Sequence, residues 1–126
     1  MAITNSTERQ YALTAYSHFK PTNLGANNGI TFKLPPGAIL LRLTATTITG
    51  FDGTTPVLTV SDGTTTFVNA VDLASTGAET VTVVPKRYPT GGTITASGTV
   101  TGTPTAGLAA VVIEYIVENR ANEAQE

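Results

Sequence analysis

Residues 51–67 read FDGTTPVLTVSDGTTTF and say nearly the same thing twice. Asp52-Gly53-Thr54-Thr55 is echoed ten residues later by Asp62-Gly63-Thr64-Thr65. Two carboxylates beside glycines and hydroxyls suit either a metal-binding loop pair or the two ends of one short β-strand. Calcium takes about six to eight oxygen ligands, usually from a dense run of carboxylates and carbonyls on one loop. Each DGTT offers a single carboxylate. Asp-Gly between alternating segments is a strong tight-turn signal, because glycine accepts a positive φ and aspartate bonds its own backbone. Two turns separated by about one strand length hold their carboxylates too far apart to share an ion. The stretch therefore predicts a strand at Val57–Val60 between two turns, within a three-strand meander from residue 38 to about 68, and no metal.

Working outward, the same period-two alternation recurs between clusters of Gly, Pro, Asn and Asp. A first strand is expected near 10–19, with Tyr11, Leu13 and Ala15 alternating against Ala12, Thr14 and Tyr16. PTNLGANNG at 21–29 is a loop by composition. Ile30, Phe32 and Leu34 then share one face, and Pro35-Pro36-Gly37 stops the strand. AILLRLTATTIT at 38–49 is a long strand whose Ile39, Leu41, Leu43 and Ala45 are expected inward and whose Arg42, Thr44 and Thr46 are expected outward. Residues 69–78 are the least strand-like and have room for a helical turn. Val81 and Val83 mark a strand ended by Pro85, and TITASGTV at 93–100 puts Ile94, Ala96, Gly98 and Val100 on one face. The Val-Val-Ile and Tyr-Ile-Val runs after Leu108 favour a closing strand.

That makes about eight strands, spaced as in an all-β antiparallel sandwich or jelly-roll-like domain. Composition agrees: 25 of the 126 residues are threonine, a β-branched residue suited to half-buried pleated surfaces. The expected organisation is an N-terminal arm at 1–9, a sandwich domain at 10–118, and a flexible acidic tail at 119–126.

Charged residues make up 13% of the chain, against about 25% in an average soluble domain. Few ions on the surface fit a protein that hides much of itself against partners. With a net charge of −2 and Lys86-Arg87 as the densest basic spot, neither nucleic acid nor anionic lipid is an expected partner. The chain lacks cysteine, which excludes disulfides and thiolate chemistry. MAITNSTERQ has neither the basic start nor the apolar run of a signal peptide.

Catalytic constellations are not expected, and neither is a cofactor. His18 is the only histidine, and no nucleophile-elbow motif surrounds any serine. Ser17 is adjacent to it, but neighbours on a strand face opposite sides. Glu114 and Glu118 lie four residues apart, ~13 Å at strand rise, whereas paired glycosidase carboxylates need ~5–9.5 Å. With no tryptophan, Tyr88 in KRYPTGG is the one plausible platform for a sugar ring. The candidate partner-binding residues are Ile3, Thr4, Asn5 and Arg9 in the arm, and Lys86, Arg87 and Tyr88.

ITFKLPPGAILLRLTATTIT at 30–49, LTVSDGTT at 58–65 and TAGLAAVVIEYIVE at 105–118 together resemble the head decoration (cement) proteins of tailed bacteriophages. The resemblance spans about residues 29–118 and is one of strand order and composition rather than of a motif. It implies a non-enzymatic structural virion protein, assembled in the host cytoplasm. Such a protein binds the major capsid protein on the capsid exterior and stabilises junctions between capsomers, often as a homotrimer. Two other roles suit the same texture: a carbohydrate- or receptor-binding module of a tail fibre, and a tail or neck component.

Overall fold

The computed structural model describes residues 12–25 and 28–118, together with their secondary structure and, except at Val83 and Val84, their side-chain environment. Eight strands follow in order: β1 (Leu13–Phe19), β2 (Ile30–Leu34), β3 (Ala38–Thr49), β4 (Thr54–Ser61), β5 (Thr66–Asp72), β6 (Glu79–Tyr88), β7 (Gly92–Thr101) and β8 (Leu108–Val117). The expected arm at 1–9 and tail at 119–126 lie outside the described residues.

The strands form two four-stranded antiparallel sheets, ordered β1-β8-β3-β6 and β2-β7-β4-β5. The chain is thus one long hairpin, doubled back at the β4–β5 turn, so that β4 meets β5, β3 meets β6, β2 meets β7 and β1 meets β8. Rolled into two layers, this is the winding of a jelly roll. Between the sheets lie Phe19, Leu40, Leu43, Leu58, Val60, Ile94, Val111 and Ile113, all fully buried. Along the β5–β6 side the layers are stitched by polar bonds, including one from the Thr82 hydroxyl to the Phe67 carbonyl at 3.1 Å. Along the β1–β2 side, Leu24 bridges to Gly98 and plugs the gap.

Several expectations need correction. The three-strand meander does not form, because β3 and β4 belong to different sheets. Residues 50–53 cross between the layers, and only β4 and β5 make a hairpin. The inward face of β3 changes midway. Leu43 and Ala45 are buried as expected, yet before them Ala38 and Leu40 are buried while Ile39 and Leu41 are half-exposed. An extra residue between Leu40 and Arg42, relative to β8, shifts the alternation by one. Pro85 does not end its strand: β6 runs on to Tyr88, because it is a sheet edge and its register with β3 is already broken there. Residues 73–78 hold turns rather than a helix.

Asp52 departs from the expected turn geometry too. Its carboxylate accepts hydrogen bonds from the backbone N–H of Thr105 at 2.9 Å and of Ala106 at 3.0 Å. It therefore joins the β3–β4 crossing to the β7–β8 crossing instead of closing its own hairpin. These two crossings, the β1–β2 loop and the β5–β6 turns cluster at one end of the roll. The β2–β3, β4–β5 and β6–β7 turns lie at the other end.

Core packing makes one position sensitive. A Cβ at Gly98 would stand 2.6 Å from the Val57 carbonyl oxygen and 2.7 Å from Leu24. Gly98→Ala is expected to cost about 1–3 kcal/mol, measured as a lower urea midpoint at unchanged slope.

Candidate interaction surface

Lys86, Arg87 and Tyr88 are consecutive, and the pleat of β6 splits them. Lys86 and Tyr88 turn toward the space between the layers; Arg87 turns out. Asp62 meets the inward pair from the β4–β5 turn. One of its oxygens accepts from the backbone N–H of Thr64 at 2.9 Å and of Thr65 at 2.6 Å. Gly63 takes the positive φ (95°) that this turn requires. The other oxygen accepts from the Lys86 ammonium and from the Tyr88 hydroxyl, the latter at 2.8 Å. The ammonium also reaches the Thr65 hydroxyl at 3.0 Å. The Asp62 side chain is only 3% exposed, so the turn of one sheet is fastened to a strand of the other by a nearly dry carboxylate.

Burial alone would raise the Asp62 pKa. The Lys86 ammonium, the Thr65 and Thr64 amides and the Tyr88 hydroxyl outweigh it and hold the carboxyl well below the usual carboxylate range. Tyr88 is pushed the other way, first by burial, then by its bond to Asp62 and that group's charge. At 7% exposure, with its hydroxyl committed, Tyr88 offers no open ring face to a sugar. Asp62 and Asp52 stand at opposite ends of β4, and among the described residues no cluster of three or more His, Cys, Asp or Glu is placed to hold a metal. A cavity of about 10 Å³ between Ala45, Leu58, Val71 and Ala109 has room for roughly one water. His18 stands exposed on edge strand β1, its ring edge-on to Tyr16 at 6.0 Å. Glu114 pairs with Arg42 at 2.8 Å and Glu118 with Arg87 at 2.7 Å, so neither faces the other as a catalytic couple.

The two outer faces of the roll differ. On the β2-β7-β4-β5 sheet, Thr31, Thr95 and Ser61 stand in one row across three strands, with Lys33 opposite Thr93 and Ser97 opposite Thr59 nearby. On the β1-β8-β3-β6 sheet, the corresponding row is Tyr16, Val112, Thr44 and Val81. Tyr16 is 66% exposed and Val81 52%. Ile48 is exposed four residues beyond Thr44, near the end of β3, and Ile116 and Ile39 lie in register with Arg87 at the other end. A strand covered on one side alternates apolar and polar residues, whereas one covered on both sides reads as a continuous apolar run. Central strand β7 is of the first kind and central strand β8 of the second.

The same fold occurs in two phage capsids. The chain superposes on a chain of the acidic stable capsid structure of Helicobacter pylori bacteriophage KHP30 with a TM-score of 0.61 and 20% identity, over 86% of this chain and 89% of that one. On a chain from the capsid of Ralstonia phage GP4 the TM-score is 0.54 at 13% identity, over 95% and 92% of the two chains. No protein-family model and no curated protein matches the chain. At these identities the likeness is one of fold.

Of the candidate contact residues, Ile3, Thr4, Asn5 and Arg9 lie outside the described residues. Arg87 lies on the apolar outer face, and Lys86 and Tyr88 belong to the inter-sheet clamp. The outer row itself was not among the expected contacts, although LAAVVIEYIV, apolar at both parities, carried the signal.

The clamp makes stability depend on acid. Because the folded carboxyl titrates below the unfolded one, near pH 3.9, the unfolded chain binds more protons in acid and stability falls as pH drops from about 4. At neutral pH, Asp62→Asn is expected to cost about 2 kcal/mol. Chemical unfolding at stepped pH should show this gap to wild type closing progressively as pH falls from about 4.

Proposed function

We propose that this protein is a non-enzymatic structural component of a tailed-phage virion, binding the capsid exterior and stabilising it where capsomers meet. The observation that carries the proposal is the apolar outer face of the β1-β8-β3-β6 sheet, set against the threonine-rich opposite face. The likeness in fold to chains of two phage capsids supports it. On this reading Tyr16, Val112, Ile48 and Val81 form the contact, with the Arg42–Glu114 ion pair inside the face beside Thr44 and Val112, and Arg87 toward its end. The partner is the major capsid protein.

The energetics suit such a role. Valine and isoleucine give up no hydrogen-bonded water when covered, and the ion pairs Arg42–Glu114 and Arg87–Glu118 are already made within the chain. Many weak copies on one shell gain from proximity what a single contact lacks. In this proposal Ile3, Thr4, Asn5 and Arg9 of the arm add to the same contact. A sugar-binding role would have rested on Tyr88, whose ring is enclosed.

Purified protein added to heads lacking it should bind and raise their heat resistance. Ile48→Asp with Val81→Asp is expected to weaken binding at least about tenfold, since each places a charge in the covered face; the melting temperature of the free protein should change little. Unaltered binding would place the contact elsewhere. Deleting residues 1–9 should leave the fold intact and lower occupancy on heads, and equal occupancy would remove the arm from the contact.

A further inference from the structure

Four strands of the roll are sheet edges: β1 and β6 in one layer, β2 and β5 in the other. An exposed edge presents unpaired N–H and C=O groups to any other strand, so soluble proteins guard edges with charges, prolines, bulges or short length. Three of these edges are guarded. The five residues of β2 carry the exposed Lys33. Relative to β4, β5 contains two extra residues and a positive φ (51°) at Ala70. Pro85 interrupts β6, flanked by Lys86 and Arg87.

β1 has none of these devices. LTAYSHF contains no Lys, Arg, Asp, Glu, Pro or Gly, and its register against β8 runs unbroken from Leu13 to Phe19.

The geometry points to β1 as a pairing edge for a second copy of this chain, the two strands running antiparallel about a two-fold axis at Tyr16. Full overlap of the seven residues sets Tyr16 against Tyr16 of the second copy. It also sets Ala15 against Ser17, Thr14 against His18 and Leu13 against Phe19. A strand that meets itself this way must not oppose like charges, and β1 holds no acidic or basic residue other than His18, which meets Thr14. The two-fold suits the faces as well. Exposed Tyr16 and His18 lie on the outer side and half-buried Leu13 and Ala15 on the inner side, so like meets like. Two four-stranded sheets then join into one of eight, and the row Tyr16-Val112-Thr44-Val81 continues into its copy across a central tyrosine pair. The homotrimer implied by the sequence resemblance would need a different contact, since an isologous edge closes after two subunits.

The test uses the absence of native cysteine. Directly opposed residues of antiparallel strands have Cα atoms about 4.5–5.5 Å apart, within the roughly 4.4–6.8 Å that a disulfide spans. Mild oxidation of Tyr16→Cys should therefore give a disulfide-linked dimer, whereas Thr31→Cys, exposed on the other sheet, should give no disulfide-linked species on a denaturing non-reducing gel. Light scattering of the wild type should show the mass rising with concentration from 13.0 kDa toward twice that. Tyr16→Lys, which sets two ammonium groups face to face at an exposed position, should raise the dissociation constant at least about tenfold while Tyr16→Phe does not. A wild type that stays monomeric at all concentrations, forms a trimer, or forms a dimer indifferent to Tyr16→Lys overturns the proposal. So does failure of Tyr16→Cys to cross-link. Head binding is probed separately at Ile48 and Val81, so the two proposals fail independently.

Discussion

Everything in this roll hinges on how its innermost turn is fastened. The β4–β5 turn is where the doubled chain folds back, and every outer strand pair is wound over it. A bare four-residue turn in one sheet would leave the two layers joined at this end by apolar packing and chain connections, neither of which fixes their alignment. Asp62 changes that, because one carboxylate organises the turn through two backbone amides and fastens it to β6 through Lys86 and Tyr88. An unpaired charge this well buried would cost several kcal/mol. The contact is therefore tolerable only when complete, which specifies a single alignment of the two sheets. Apolar side chains between the layers would tolerate several.

That dependence explains what the sequence made legible. Strands β2 and β7 alternate cleanly because one side packs on the core and the other meets water, so their inward residues were correctly assigned. The closing strand was recognised from its β-branched run, and the strand character of Leu108–Val117 follows from it. What failed was non-local. A bulge at Leu41 exists because β3 must match β6 on one side and β8 on the other, and neither neighbour is visible in AILLRLT. Likewise, nothing within residues 50–53 says that the chain changes sheet there; that depends on Asp52 finding the amides of Thr105 and Ala106, more than fifty positions away.

The candidate site divides in the same way. Lys86, Arg87 and Tyr88 stood out as a basic and aromatic cluster, yet period-two geometry sends them to different places. Strand assignment that stopped at Pro85 concealed this, because a loop has no parity. Asp62 was recognised as a turn residue, and its second oxygen was free to do something else. A half-buried lysine and a buried tyrosine two positions apart on one strand face call for a partner, and the best-placed acid sits at the tip of the hairpin in the opposite layer.

The two outer faces pose the remaining question, which is why one side of a low-charge protein should be apolar and the other lined with hydroxyls. A threonine face presents methyl groups and hydroxyls in equal number, so water remains hydrogen-bonded across it and little is gained by covering it. Val112, Val81 and Ile48 have no such compensation, and covering them releases water at roughly 25 cal/mol per Å² of apolar area. A protein with both faces alike would stack on itself or on nothing. With one of each, only one face gains by being covered, and that gain needs no complementary charge on the covering surface.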